Sequence, residues 1–250
     1  MNRTNRDCAK DFYTDLKAKF GQMIHDQGIA AEAIRVISAR TLTVKETIGE
    51  PERKDYPLMR GKEFMVEANF RGARGQAFTD MPGSYEGSLG DVLSFDLSDN
   101  FQRAIFVAGL NAVLRHHRII EETIHCRDHE PWLCAQHLVA YIRQKYDHPK
   151  IALIGYQPAM ADSLAEYYPL RIVDMDGDNI GQEKAGVIVD APAVTREVID
   201  WCDVILSTGS TAVNGTLGDF LTTKPVVFYG VTVAGIAALC GLNRYCPFGH

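Results

Sequence analysis

The hydrophobic pattern of the first half of the chain changes from helical to strand-like and back to helical. Apolar residues recur at helical spacing from Cys8 to Gln27, which predicts an amphipathic helix. The runs "IRVISARTLTVKETI", "EFMVEANF" and "GQAFTD" follow, and their β-branched and aromatic residues predict strands. From Gln102 to about Ile124 the pattern favours a long helix whose small residues allow close packing against a sheet. Residues 1–118 are therefore predicted to form an α+β domain.

The second half alternates short apolar runs with helical segments. Strands are predicted at "KIALIG", "LRIVD", "DVILS" and "PVVFYG", and helices at "PAMADSLAEYY", "GTLGDFL" and "VAGIAALCGL". Further helices are expected from Ala193 to Trp201 and from Glu130 to Tyr146. Such alternation is typical of parallel sheets with right-handed crossovers. Residues 119–250 are therefore predicted to form a Rossmann-like, doubly wound domain, so the whole chain belongs to the α/β class.

Small polar residues dominate the connection that follows the strand "DVILS". Eight of the ten residues from Ser207 to Thr216 are Ser, Thr, Gly or Asn. In doubly wound sheets, ligands bind beyond the carboxyl ends of the strands, where the strand order reverses. We therefore expect this connection to hold a polar or anionic ligand, with the loops in "LIGYQPAM" and "FYGVTVAG" beside it. The alternative, that these residues only form turns and cap a helix, stays open.

The charge and cysteine content of the chain indicate which partners it can bind and in which compartment it is expected. The net charge is −6, and residues after 118 hold 9 Lys and Arg against 16 Asp and Glu. An acidic second half argues against nucleic acid as a partner, and a metal ion or small ligand fits better. The uncharged stretch from Pro225 to Asn243 is interrupted by glycines, which favours a buried strand and helix over a membrane span. The six cysteines form no C-x-x-C pair and no apolar signal segment opens the sequence, so we expect a reduced, cytoplasmic protein.

Known ligand motifs are matched only in part. The loop after "KIALIG" is neither G-x-G-x-x-G nor a Walker A sequence. Asp174 nevertheless lies 19 residues past Gly155, where dinucleotide-binding domains keep a ribose-contacting acid, so a nucleotide or methyl-donor cofactor stays an alternative. The His- and Cys-rich segment 125–137 has no spacing of a known zinc site. Cys246 and His250 are the candidate ligands for a transition-metal ion.

Two pairs of segments carry a resemblance to a known family. "CDVILSTGSTAVNGTLGDFL" and "PVVFYGVT" resemble the C-terminal, Rossmann-like domain of the heavy-metal chelation family. "GQAFTDMPGSYEGSLGDVL" and "RAIFVAGLNAVLRH" are similar to its N-terminal domain, which resembles the N-terminal domain of enolase. The resemblance spans roughly residues 63–246 and implies a pocket between the two domains that handles a metal or metal chelate. Gly230-Val231-Thr232 departs from the Gly-Pro-Ser/Thr of many members.

The loops and the resemblance together define a candidate site. The resemblance implies that Thr79, Asp80 and Asn111 face the cleft, although Asn111 can equally be a core amide. The opposite side is predicted to consist of Gly155, Tyr156, Asp174, Thr208, Gly209, Ser210, Asn214, Thr216, Gly230 and Thr232.

The predicted function is binding of a small polar ligand, a heavy-metal ion or a metal chelate in this interdomain cleft. One alternative is a transferase or lyase that uses a nucleotide-like or methyl-donor cofactor there. Another is a module whose interdomain surface binds a second subunit, as in a homo-oligomer. No nucleophile elbow or metalloprotease motif is present, so the sequence names no reaction.

Overall fold

Two sheets form the framework of the protein in this computed structural model, which describes residues 5–26 and 35–250. The first sheet is antiparallel, with the strand order β3-β2-β1-β4. Its strands are β1 (Arg35–Leu42), β2 (Phe64–Phe70), β3 (Ala73–Thr79) and β4 (Tyr85–Ser88). The helices of this half are α1 (Asn5–Asp26), α2 (Val44–Ile48), α3 (Leu89–Ser94) and α4 (Asn100–His116). A short 3₁₀ segment at Pro57–Arg60 precedes β2.

The second sheet has seven strands in the order β11-β10-β9-β5-β6-β8-β7 within the described residues. Its strands are β5 (Ile151–Ile154), β6 (Leu170–Val173), β7 (Glu183–Lys184), β8 (Val187–Asp190), β9 (Val204–Thr208), β10 (Val226–Tyr229) and β11 (Arg244–Tyr245). All neighbours pair in parallel except β7 and β8. The six parallel strands thus have the order of doubly wound sheets, with a reversal between β5 and β9.

Helices cover both faces of the parallel sheet. They are α5 (Glu130–Lys145), α6 (Pro158–Ala165), α7 (Thr195–Trp201), α8 (Thr211–Asn214) and α9 (Ala234–Cys240). Ile151 and Leu153 of β5 pack in one core cluster with residues of α5 and α6. Ala152 and Ile154 point the other way, into a cluster that includes residues of α4, α7 and α9. This two-sided burial explains why the strands are almost continuously apolar.

Helix α4 lies between the two sheets. It contacts β2 and β3 on one side and α8 and α9 on the other, and its central residues are fully buried. Gly75 of β3 makes this packing close, because a Cβ there would lie 2.3 Å from the backbone nitrogen of Ala112 and 2.4 Å from the carbonyl oxygen of Ala108. The small residues of α4 therefore pack against a sheet, as predicted. One hydrophobic core runs from the antiparallel sheet through α4 to the parallel sheet.

Several local predictions were wrong. The end of "IRVISARTLTVKETI" forms α2, because Thr43 and Glu46 make a capping box that starts a helix there. Helix α4 ends at His116 instead of continuing to Ile124, and Arg118 adopts a left-handed backbone with φ 56°. The segment "GTLGDFL" contains only a 3₁₀ turn. Strands β4, β7, β8 and β11 and helices α3 and α8 were not predicted.

Two predictions reach residues outside the described ranges, namely Gln27 at the end of the first helix and Ile34 at the start of the first strand run. The uncharged stretch from Pro225 to Asn243 contains β10 and α9. Across residues 5–26 and 35–250, none of the helices combines the length and the hydropathy needed to span a bilayer.

The start of α4 offers a test of helix capping. The carboxylate of Asp99 accepts a hydrogen bond of 2.8 Å from the backbone N–H of Gln102. Asp99→Ala is expected to lower the free energy of unfolding by about 1 kcal/mol, because one N-terminal amide of the helix loses its partner. Urea unfolding followed by circular dichroism measures this. Glu86→Ala, at an exposed acid, is the control, and an equal loss in both variants would contradict the assignment.

Candidate functional site

A cavity of about 930 Å³ opens at the carboxyl ends of β5, β6, β9 and β10. The strand order reverses between β5 and β9, so the cavity lies at the switch point of the sheet. Residues at the end of β3 and before β2 line its other side. Of the residues predicted to bind ligand, the structure brings these together around the cavity: Thr79, Asp80, Gly155, Tyr156, Asp174, Thr208, Gly209, Ser210, Asn214, Thr216, Gly230 and Thr232.

Gly155 allows the ends of β5 and β9 to approach each other. Its φ is 86°, and a Cβ on it would lie 2.6 Å from Cγ2 of Thr208. The N–H of Gly155 donates to the carbonyl of Val173 at 2.8 Å, and the carbonyl of Gly155 accepts a hydrogen bond from the hydroxyl of Tyr229 at 2.9 Å. Three neighbouring strands thereby fix the loop that forms the floor of the cavity.

The hydroxyl-rich connection after β9 satisfies many of its own polar groups. The N–H of Gly209 donates to the carbonyl of Tyr229 at 2.8 Å. The hydroxyl of Thr211 donates to the carbonyl of Thr208 at 2.8 Å. Helix α8 has only four residues, and the amides of Ala212 and Val213 already donate to carbonyls within the connection. The amides of Ala212 and Val213 are therefore already paired within the connection.

Asp174 is held in place by the backbone around it. Its Oδ2 accepts from the N–H of Tyr156 at 2.6 Å, and its Oδ1 accepts from the N–H of Asp176 at 2.7 Å. The amide of Asn179 lies 3.4 Å from the same Oδ1. The carboxylate therefore connects the loop after β5 to the loop after β6. Its negative charge remains at the cavity wall.

Asp80 and Asn214 lie on the opposite rim and are joined through Asn100. The amide nitrogen of Asn100 lies 2.7 Å from Oδ1 of Asp80 and 3.5 Å from Oδ1 of Asn214. Among the described residues, the amide nitrogen of Asn214 has the sulfur of Met175 as its single partner, at 3.7 Å. This contact between the end of β3 and the connection after β9 leaves most of the hydrogen-bonding capacity of Asn214 available to a ligand.

Glu63 is a cavity residue that the sequence did not reveal. It lies between the 3₁₀ segment and β2, lines the cavity, and makes no hydrogen bond or ion pair within residues 5–26 and 35–250. Burial, reinforced by the charges of Asp174, Asp80 and Asp176, raises the pKa of Glu63 from 4.5 to about 7. An acidic residue beside a lysine before an apolar strand looks like an ordinary surface turn in sequence, so no local signal identifies it.

The other end of the cavity holds thiols and an imidazole. Cys126, Cys134 and Cys246 line it together with His125. Burial raises the pKa of Cys134 to about 12 and also raises the pKa values of Cys126 and Cys246. Burial lowers the pKa of His125 to about 4, and its Nδ1 is buried without a hydrogen-bond partner. Near neutral pH this end is therefore uncharged.

The two candidate metal ligands near residue 250 lie in different places. Cys246 lines the cavity, whereas Nε2 of His250 lies 2.8 Å from a carboxylate oxygen of Glu130 outside it. The N–H of His250 donates to the carbonyl of Ile124 at 2.9 Å, which fixes the backbone there. In the described part of the chain, no three His, Cys, Asp or Glu side chains are grouped so that they could hold a metal ion. The described residues therefore do not fit a bare ion held by the protein alone.

Asn111 does not line the cavity, so the prediction that it faces the cleft was wrong. Its amide nitrogen donates to the carbonyls of Gln76, Val231 and Thr232 at 3.0 to 3.1 Å. Its Oδ1 accepts from the N–H of Gly235 at 2.7 Å. The side chain is fully buried, which matches the alternative of a core amide satisfied by backbone.

Together the fold and the cavity define an α/β protein with a cavity at the switch point of its parallel sheet. Residues 138–243 match the family model DUF364, described as "Putative heavy-metal chelation". The predicted resemblance to that family is confirmed over this range. The family is named for heavy-metal chelation, which supports metal binding in general and no particular ligand.

A solved structure of a DUF364 protein resembles this chain in fold. A DUF364 protein of unknown function from Pyrococcus horikoshii is 17% identical, with a TM-score of 0.50, over 87% of this chain and 79% of that one. A DUF364 protein of unknown function from Desulfitobacterium hafniense DCB-2 is 16% identical, with a TM-score of 0.48, over 71% of this chain and 73% of that one. Among curated proteins, none matches this chain in sequence. The α/β fold class, with one largely parallel and one antiparallel sheet, is confirmed.

Proposed function

We propose that the protein binds a small polar organic ligand, including a metal ion carried as a chelate, in the cavity at the switch point. The observation that carries this proposal is the size of the cavity, about 930 Å³. Cavities of roughly 300–1,000 Å³ are typical of small-molecule sites. A bare ion would fill only a small part of this volume.

The chemistry of the walls favours a chelate over a free ion. The described residues offer no group of three metal-binding side chains, so the remaining ligands of a metal would come from an organic molecule. The family description supports a metal as part of the cargo. Asn214, Thr208 and Thr79 would contact the polar edge of this molecule, and Asp80 and Asp174 would provide charge. We further propose that residues 1–118 and 119–250 form two domains, enolase N-terminal-like and Rossmann-like, with the ligand between them.

Filling the cavity tests this function. Asn214→Trp places a large ring at the rim of the cavity, and Asn243→Trp makes the same change at an exposed asparagine elsewhere. Protein purified without a metal-affinity tag is examined by native mass spectrometry and elemental analysis. We expect wild type and Asn243→Trp to retain an organic adduct, with or without metal, and Asn214→Trp to lose at least about 90% of it, because the ring occupies the ligand's volume.

Where no adduct survives purification, the three proteins are titrated with two small metal chelates, the neutral bis(histidinato)nickel(II) and the cationic tris(ethylenediamine)nickel(II), and binding of either one serves the comparison. We expect binding by wild type and Asn243→Trp that is at least about tenfold weaker in Asn214→Trp. Equal retention or equal binding in both variants would contradict the proposal, as would a bare metal ion without organic mass. Absence of both an adduct and chelate binding would also count against it.

A second candidate function is an enzyme that uses a nucleotide-like or methyl-donor cofactor. The strand order of the parallel sheet favours it, because doubly wound sheets of this order bind such cofactors at the switch point. The position of Asp174 after β6 fits a ribose-contacting acid, but both of its oxygens accept backbone hydrogen bonds already. A thermal shift with S-adenosylmethionine or NAD, absent with either nickel chelate, would favour this alternative.

A further inference from the structure

The side of the cavity next to β2 and β6 is acidic. Glu63, Asp80, Asp174 and Asp176 all line it. Lys62, which also lines it, lies 2.7 Å from Asp178 and 3.4 Å from Asp176, so its charge is already paired. Arg196, on the other rim, lies 3.2 Å from Asp200. The cationic side chains of the lining therefore leave the carboxyl groups of the acidic side without full compensation.

One carboxyl group on this side of the cavity has no partner within the part of the chain that the structure describes. The carboxyl group of Glu63 is half-buried, lines the cavity and has no hydrogen-bond or ion-pair partner among the described residues. A polar group left without a partner in a partly desolvated place costs stability, so its retention indicates a role in binding.

Resting on the proposed function, we propose that the cavity selects a ligand with a positively charged group and that Glu63 is the counter-ion of this group. When the ligand enters, the carboxylic acid of Glu63 loses its proton to solvent, and the carboxylate pairs with the cation. No other bond forms or breaks. The ligand class is thus cationic, either an organic cation or a metal complex of net positive charge.

The surroundings of Glu63 make this exchange dependent on pH. Asp174 and Asp176 face it from the connection after β6, Asp80 from the end of β3 and the hydroxyl of Tyr229 from β10. Burial, together with the charges of Asp174, Asp80 and Asp176, holds the pKa of Glu63 at about 7. A cation in the cavity reverses the balance and favours the ionised form, so binding is expected to strengthen as the pH rises from 5.5 to 8.

Exchange-inert cobalt complexes test which ligand charge the cavity prefers. They have no free coordination sites, so protein side chains cannot bind the metal directly. Hexaamminecobalt(III) is a compact cation of charge +3. The cobalt(III)–EDTA complex is also compact and exchange-inert, but it is an anion. Isothermal titration calorimetry is run with wild type, Glu63→Gln and Glu86→Gln, the last being the same change at an exposed acid outside the cavity. We expect wild type and Glu86→Gln to bind the trication at pH 8 at least about tenfold more tightly than at pH 5.5.

The Glu63→Gln variant is expected to bind the trication at least about tenfold more weakly at pH 8 and to lose most of the pH dependence. Titrations at pH 7 in two buffers of different ionisation enthalpy should show release of about half a proton per bound trication in wild type and none in Glu63→Gln. A merely structural role of Glu63 would not produce this difference in proton release.

Three results would overturn the inference: equal affinity of wild type and Glu63→Gln for the trication, preference for the cobalt(III)–EDTA anion, or no binding of the trication at all. Each of them leaves the cavity-filling comparison of Asn214→Trp and Asn243→Trp intact. If Asn214→Trp loses its ligand and one of these three results is also found, the proposed binding function is supported. Only the inference that the ligand is cationic is then rejected.

Discussion

Replacing Asn111 with leucine is expected to lower the free energy of unfolding by about 4 kcal/mol, since several buried backbone groups lose their partners at once. The amide nitrogen of Asn111 donates to the carbonyls of Gln76, Val231 and Thr232. Its Oδ1 accepts from the N–H of Gly235. Leucine has a similar size, so the loss reports hydrogen bonding more than cavity formation. Urea unfolding, followed by circular dichroism, measures it.

A second asparagine provides the control for this prediction. Oδ1 of Asn69 accepts a single hydrogen bond of 2.9 Å from the N–H of Gly72 in an exposed turn. Asn69→Leu is expected to lower the free energy of unfolding by about 1 kcal/mol or less. If Asn111→Leu cost no more than Asn69→Leu, the assignment of Asn111 as the amide that joins β3 to the loop after β10 would be rejected.

The position of the cavity could be predicted because its residues are marked by local patterns. Strand β9 is an apolar run, and the small polar residues from Thr208 onward follow it directly in sequence. Gly155 follows β5 in the same way. Alternation of strands and helices fixes a parallel sheet, and a parallel sheet brings the carboxyl ends of its strands to one edge. The loops that meet at the cavity therefore follow from the order of the elements.

The role of Asn111 could not be predicted, because its partners are remote in sequence. An asparagine in an apolar helix can face a cleft or bond to backbone in the core, and both arrangements give the same local pattern. Its partners, from Gln76 to Gly235, lie 35 to 124 positions away. Only the packing of α4 between the two sheets decides between the alternatives.

Glu63, Cys246 and His250 show the same limit for charged and metal-binding side chains. Glu63 becomes a cavity residue only because the antiparallel sheet meets the loops after β6 and β10. Cys246 and His250 are close in sequence, yet the backbone bonds between His250 and Ile124 hold the histidine outside the cavity. Closeness in sequence places two side chains in one region but does not direct them at one point.

The protonation states at the two ends of the cavity are consistent with a chelated cargo. The thiols of Cys126 and Cys134 keep their protons near neutral pH because burial raises their pKa values. Metal coordination would require those protons to leave. The acidic side instead offers carboxyl groups that can attract a complex through its charge alone, without entering its coordination sphere.

Glu63→Gln is expected to raise the free energy of unfolding at pH 8 by about 2 kcal/mol. In the folded protein the pKa of Glu63 is raised from 4.5 to about 7. The stability contribution of this group is therefore fully present below pH 4.5 and is lost as the pH rises through 7. Glutamine stays neutral and avoids this loss. The expected gain is smaller than the full shift implies, because water in the cavity reaches the partly buried carboxyl.

Urea unfolding of wild type, Glu63→Gln and Glu86→Gln at pH 8 and at pH 5 measures this effect. The advantage of Glu63→Gln should shrink as the pH falls toward 4.5, and Glu86→Gln should follow wild type at both pH values. A constant difference across this range would show that Glu63 does not titrate near neutral pH in the folded protein. Residues that bind a ligand often reduce the stability of the unliganded protein. If Glu63 is such a residue, Glu63→Gln should both stabilise the protein and weaken its binding of a cation.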